Sequence, residues 1–453
     1  EQLKYRIAGE LNALAKDHYA FKLNSDSLLL NYEAWKITPA NRIEWGLHYL
    51  NADSVDLSRQ DARLSLQSKA GYPADALQIQ LHQFKLSTIM QALMADSSWV
   101  SGLLNGRIEI KSPLSNPSFA GKLSVTEAML KKQDLGVINL DIQNEVKNQF
   151  VIKAALEGPD NKLELQGNYD TGKEPNQRAN LELDTTKLSL PLVKALSGET
   201  IRRAEGYVAG KLRLNGDIAK PEVNGTLSFH KAGLAPAALN SFYSMDGEQL
   251  IFNGQTVELD HFRIRDSLGN DLTLNGRIST RDYSVYQFDL SAGARNFQAI
   301  HSTEKDNSNY YGDLFFDADL AISGNSDAPK IEGSIKVNEK SKMTIVLPQD
   351  VPGVQEREGV VKFIDRDAPQ TDSSYKTGFE EIGKTELHGM DISANIQVDK
   401  KATFKLIVDQ GNGDYIETQG EANLSAGIDP GGKITLTGNY ELEEGSYELS
   451  FNL

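Results

Sequence analysis

A phrase of alternating residues, punctuated by glycine and proline, recurs along this chain at a nearly fixed period. Gly102-x-x-x-Gly106-x-Ile108-x-Ile110 is followed by Pro117-x-Phe119-x-Gly121-x-Leu123-x-Val125. Gly206-x-x-x-Gly210-x-Leu212-x-Leu214 precedes Pro221-x-Val223-x-Gly225-x-Leu227-x-Phe229. Leu320-x-Ile322 precedes Pro329-x-Ile331-x-Gly333-x-Ile335-x-Val337, without the two leading glycines. The prolines stand 104 and 108 residues apart. A fixed period marks a body that grows by adding similar units.

Each phrase spells two β-strands. Apolar and polar residues alternate, so one face of each strand is apolar and the other is wet. Proline donates nothing to a ladder and belongs at a strand start. The glycines predict a bend or a close approach of backbones. Alternation continues between the phrases, most clearly at Leu250 and Phe252, Val257 and Leu259, Phe262 and Ile264, Leu272 and Leu274, and Phe288 and Leu290. Asn253-Gly254 and Asn275-Gly276 are expected as hairpin turns, because Asn-Gly supplies the positive φ such turns need. Successive strands are therefore expected to be mostly antiparallel, which argues against a parallel β-helix. Short helices are expected over 86–94 and 190–196, with a counterpart at 297–300.

Composition narrows the function. The 453 residues are 39% hydrophobic and 24% charged, which is lean for a compact body and suits a long thin one. A net charge of −16 argues against nucleic acid as a partner, since phosphate binding needs clustered Lys and Arg. No cysteine is present, so disulfides and thiolate metal sites are excluded. The seven histidines lack metal-ligand spacing. Asp365, Asp367 and Asp372 lack the glycine and glutamate of a calcium loop, and no nucleophile elbow or phosphate-binding loop is present. The chain reads as a non-enzyme without metal or cofactor. Tyr5-x-Ile7-x-Gly9-x-Leu11 matches the second half of the phrase, and Tyr447-x-Leu449-x-Phe451-x-Leu453 has no polar cap. Both suggest an excised piece of a longer array.

Such a sheet must cover its apolar face with a second layer, with itself or with a ligand. Two outcomes stay open: a lined apolar groove, or two walls closed on a dry core. If the groove is open, its lining is expected to include Ile108, Ile110, Phe119, Leu123, Leu212, Leu214, Val223, Leu227, Leu250, Phe252, Val257, Leu259, Leu272, Leu274, Leu320, Ile322, Ile331 and Ile335.

The order of short apolar helix, Gly-x-x-x-Gly, alternating strand and Pro-x-φ-x-Gly strand over Leu188 to Phe229 resembles the AsmA-like superfamily of bacterial envelope proteins. Gly438-Asn439-Tyr440-Glu441-Leu442-Glu443-Glu444-Gly445-Ser446-Tyr447 is similar to the C-terminal region of the TamB family within it. The resemblance implies an all-β fold: an elongated β-taco, a long folded-over and mostly antiparallel sheet with a hydrophobic groove and a few short helices. Repeats would occupy 1–338, in units of about 1–100, 101–205, 206–310 and 311–338. A long loop would fill 339–386, with a short strand around Val360 to Ile364, and a C-terminal segment would fill 387–453. The resemblance also implies a periplasmic protein, anchored in full length in the inner membrane of a Gram-negative bacterium. Its implied partners are phospholipid acyl chains and an outer-membrane protein of the BamA/TamA type near the C-terminus. The implied roles are phospholipid transport to the outer membrane and, as the alternative, a scaffold for outer-membrane protein assembly.

Overall fold

The computed structural model describes residues 4–25, 28–47, 49–69, 76–93, 100–114, 117–131, 133–146, 148–172, 177–347 and 389–449. They are almost entirely β, in mostly antiparallel sheets. The chain divides into two units.

The first unit comprises Glu1–Ala237, Phe242–Ile264 and Asn275–Tyr286. It opens with a four-stranded sheet, Gly9–Ala15, His18–Leu23, Arg42–Gly46 and Tyr49–Asp53. A larger sheet runs strand by strand from Val55–Arg59 to Glu222–Pro236, each strand antiparallel to the one before. Two helices interrupt it where the sequence predicts them, α1 (Leu86–Leu93) and α2 (Pro191–Leu196). Proline is well placed at the first turn of α2, where an N–H would lack a partner in any case.

The strands are long but not continuous. Their registers slip at Leu81/Phe84, Ser101/Leu103, Val125/Ala128, Thr185/Leu188 and Glu205/Tyr207, toward the end that carries the helices, and at Gln143/Val146 toward the other end. Each slip is a bulge, which bends a strand and increases its twist. Gln83 and Glu127 take left-handed backbone angles there, φ 45° and 52°. On the helix side of the slips the apolar face packs dry. Phe84, Leu104, Val125, Ala128, Leu135 and Leu156 form a buried cluster with Trp35 and with Leu192 of α2, and Leu86 and Ile89 of α1 lie against it. Trp35 and Phe84 rings meet at 5.2 Å. Neither helix is long enough to stand alone, and this packing is what holds them.

Several bulges share a clamp. The Gln83 N–H donates to Asn105 Oδ1 on the next strand at 2.8 Å. The Lys231 N–H donates to Asp246 Oδ1 at 2.6 Å, and the His261 N–H to Asn275 Oδ1 at 2.8 Å. Asn275-Gly276 is thus not a turn, contrary to the expectation. It lies inside the strand Asp271–Thr280, where Asn275 accepts from the N–H of His261, a residue at φ 50°. The other expected turn holds in place: Asn253 pairs with Thr256, leaving Gly254-Gln255 as a two-residue loop.

The second unit comprises Ala238–Ser241, Arg265–Leu274 and Gln287–Leu453. The apolar run Phe297–Ile300 is strand rather than helix: Phe297 pairs with Phe316 and Gln298 with Phe315 inside Tyr286–Ser302. A bulge on either side lets these residues stay in the sheet, with Phe297 buried. The segment expected to begin a loop at 339 first forms another strand, Lys342–Val346. The expected strand around Val360 to Ile364 lies outside the described residues. Among the described residues two pairings are parallel, Pro329–Val337 with Asp391–Val398 and Lys342–Val346 with Thr403–Asp409. The long strands Tyr310–Gly324 and Asp414–Ile428 flank these collinear pieces. The breaks between the pieces are tight. Ser341 is wholly buried, and its hydroxyl both accepts from the Phe315 N–H and donates to the Phe315 carbonyl at 3.0 Å.

The clamp recurs in this unit. The Asn296 N–H (φ 49°) donates to Asp317 Oδ1 at 2.6 Å, and Asn338 Nδ2 donates to the same oxygen at 2.8 Å. Burial favours the neutral form of Asp317, but these two donors and the Arg295 and Lys336 cations outweigh it and hold the carboxyl below its ordinary value. A depressed carboxyl contributes stability above about pH 4, which is lost as pH falls through the folded-state value. Asp317→Asn should therefore flatten the pH dependence of stability. Its urea midpoint should change less between pH 7 and pH 3 than that of the unsubstituted protein.

Candidate functional site: an apolar lane across the sheet

Side chains directly opposite one another in adjacent strands share a face. The registers therefore trace rows across the first unit. One row runs Leu57, Leu64, Leu81, Gly106, Leu123, Leu140, Ala154, Leu165, Leu183, Leu212, Gly225, Phe252 and Val257. A second runs Val55, Leu66, Ile79, Ile108, Gly121, Ile142, Ile152, Gly167, Leu181, Leu214, Val223 and Gly254. Every position is apolar or glycine.

Of the expected lining residues, Ile108, Leu123, Leu212, Leu214, Val223, Phe252 and Val257 lie in these rows. Ile110 faces Phe119 one row further out, and Leu227 faces Leu250. Leu259 is buried, Phe119 is exposed at the margin, and the other first-unit residues named are half-buried. Leu272 and Leu274 are half-buried in the second unit. There Ile322 pairs with Ile331, Leu320 with Gly333 and Ala318 with Ile335, and the rows continue through Ile392 and Ile396 to Ile428 and Leu424. The intermediate rungs carry no glycine-proline phrase. Leu140, Ile142, Ile152, Leu165, Leu181 and Leu183 belong to the rows all the same. Plain alternation, as in Leu181-x-Leu183, is the signal that finds them.

The phrase glycines sit within the rows. Gly210 (φ 155°) and Gly225 (φ 138°) lie on adjacent strands, and a Cβ on either would stand 2.0 Å from a carbonyl oxygen of the other strand. Glycine is thus required by backbone conformation and by close approach together.

The opposite face is charged. Lys211 Nζ lies 2.6 Å from Asp184, Lys122 3.5 Å from Asp141 and Arg213 3.7 Å from Glu182. The hydrogen bond to Asp184, reinforced by its charge, raises Lys211 above the usual lysine value. Such exposed pairs keep this face wet and contribute little stability. A cavity of about 500 Å³ is lined by 105–106, 122–124, 139–141, 153–155 and 164–166. Its lining holds Gly106, Leu123, Leu140, Ala154 and Leu165 of the first row together with their flanking polar and charged neighbours. Among the described residues no group of three or more His, Asp and Glu converges to hold a metal.

The profile of the TamB N-terminal domain matches residues 2–229, and that of the TamB C-terminal domain matches residues 260–453. The chain belongs to the TamB family. TamB proteins are non-enzymatic proteins of the bacterial envelope that take part in outer-membrane assembly or lipid transport and work with an outer-membrane partner. No curated protein and no solved structure matches the chain. No helix among the described residues is long and apolar enough to cross a membrane.

Proposed function

We propose that the apolar rows are a lane for phospholipid acyl chains, and that the protein is a periplasmic conduit moving phospholipids between the inner and outer membranes. The supporting observation is the unbroken succession of half-buried apolar side chains over strand after strand. Val55 and Leu81, at the start of the rows, are buried, whereas the row residues from Gly106 onward keep part of their surface open. An alkyl chain laid there leaves water at about 0.8 kcal/mol per methylene. Neighbouring rungs offer much the same surface, so a shift by one rung exchanges like contacts for like. Ile108, Ile110, Leu212, Leu214, Val223, Leu250, Phe252, Leu320 and Ile322 are the proposed lipid contacts. The test is mass spectrometry of lipid extracted from protein purified in mild detergent. The reading requires phospholipid in the extract, above the amount carried by an unrelated acidic protein of equal mass; an equal amount refutes it.

The second reading is a scaffold for outer-membrane protein translocation and assembly with a BamA/TamA-type partner. The observation favouring it is the strand Ile434–Glu448. It hydrogen-bonds to Asp414–Ile428 along its whole length, and all its residues are exposed. Such an edge can take a further strand.

A further inference from the structure

We propose that the first unit binds a phosphate ester of a sugar or polyol, in a cavity beside the hairpin formed by Val55–Arg59 and Ala62–Ser68. Such a site lies beyond what the lane requires, since alkyl chains need no charged group.

Three observations carry it. The cavity measures about 900 Å³, within the range of small-ligand sites, and is lined by Arg63, His82, Arg107 and Lys122 together with Asp56 and Asp61. Register places its cations on one face. Ser65 pairs with Gln80, Gln80 with Arg107 and Arg107 with Lys122, and Arg63, two residues before Ser65, stands opposite His82.

The second observation is a break in the charge pattern of that face. Further along it, cations stand opposite acids: Lys122 opposite Asp141, Arg213 opposite Glu182 and Lys211 opposite Asp184. In the cavity Arg107 has Gln80 on one side and Lys122 on the other, while Arg63 lies between Ser58 and His82. Among the described residues neither arginine makes an ion pair or a side-chain hydrogen bond. Like charges directly opposite one another across a ladder are destabilising. A bound oxyanion relieves the repulsion between Arg107 and Lys122, and the planar fork of arginine matches phosphate oxygens.

The third observation is an unused acceptor. Asp56 Oδ1 is buried with no hydrogen-bond partner among the described residues. Asp56 and Asp61 repel a bare polyanion but accept from hydroxyl groups, so they select an anion that carries hydroxyls. The cavity is also far larger than a phosphate ion fills. Phosphate at the arginines and hydroxyls at the aspartates satisfy both sets of groups. Two sources offer this chemistry, a soluble sugar phosphate and the phosphopolyol headgroup of a lipid.

Isothermal titration of the full chain at low salt, with glucose 1-phosphate, glucose and inorganic phosphate, tests the site. Glucose 1-phosphate should bind on the order of tenfold or more tighter than either of the others. Arg63→Ala combined with Arg107→Ala should abolish that preference, whereas Arg63→Lys with Arg107→Lys, which keeps the charge, should retain part of it. Both arginines are exposed, so the β-type circular dichroism spectrum should not change. Asp56→Ala should bring glucose 1-phosphate down to the level of inorganic phosphate. Cosedimentation with phosphatidylcholine vesicles, with and without phosphatidylglycerol, separates the sources. A gain with phosphatidylglycerol that the alanine pair removes assigns the lipid headgroup, and binding of free glucose 1-phosphate without that gain assigns the soluble ester. Equal binding of glucose 1-phosphate and inorganic phosphate by the unsubstituted chain overturns the ligand class. Binding that the alanine pair leaves unchanged, or no binding in any arm, overturns the site.

Discussion

Placing aspartates at Leu212 and Leu214 is expected to strip the protein of bound phospholipid. The two residues occupy adjacent rows, opposite Leu183 and Leu181 on one side and Gly225 and Val223 on the other. Both are half-buried, so a carboxylate there still reaches water in the empty lane. An alkyl chain laid over it removes that water. Burying an unpaired charge costs several kcal/mol, more than the few methylenes in contact contribute. The expected result is a fall of roughly tenfold or more in lipid per protein molecule. Arg213→Ala, between the two and on the charged face, should leave the lipid content within about twofold. A β-type circular dichroism spectrum shared by both variants separates emptying from unfolding. Lipid content unchanged in the double aspartate variant contradicts the lane.

Gly225→Ala is expected to cost roughly 3 kcal/mol of stability, combining left-handed strain with a collision in the ladder. The collision is with Lys211 O at 2.0 Å, and a main-chain oxygen cannot rotate away as a side chain can. Gly293→Ala is the comparison. Its backbone is outside the left-handed region and its nearest neighbour is Asp319 Oδ1 at 4.0 Å. It should change the denaturation midpoint little and can raise it, because alanine has fewer unfolded conformations to lose. Equal effects of the two substitutions would mean that the phrase glycines are not required by the close approach.

Much of the fold is written locally. The three phrases fall on Val100–Lys111 and Ser118–Leu130, on Ile201–Asp217 and Glu222–Pro236, and on Tyr310–Gly324 and Pro329–Val337. Alternation decides these because it depends only on successive residues pointing to opposite faces. What escapes is whatever depends on a second strand. Asn275-Gly276 has the composition of a turn, and only its contact with the His261 main chain makes it a clamp. Phe297–Ile300 is too short for periodicity to separate helix from strand, and its pairing with Phe315 and Phe316 decides it. The parallel pairings beside the connection between Val346 and Asp391 leave no local mark either.

The lining residues were legible as individual apolar alternates but not as rows. Rows depend on register, and a slip of one residue would send Leu212 to the charged face and Arg213 into the lane. The division of the apolar face into a dry part and an open part was not legible at all. It follows from the bulges and from where α1, α2 and Trp35 pack. The resemblance carried by Leu188 to Phe229 and by the C-terminal phrase pointed to the family that the two domain profiles match.

The central claim is that one face of the sheet touches lipid and the other does not. Ile152 and Lys153 test it most directly, being consecutive residues, one half-buried in a row and the other exposed on the charged face. A photoreactive amino acid placed at each position in turn, in cells, with mass spectrometry of the purified protein, reads the contact. Phospholipid adducts at position 152 and none at 153 are the predicted result. Adducts at 153 equal to or above those at 152, or none at either position, would contradict the lane.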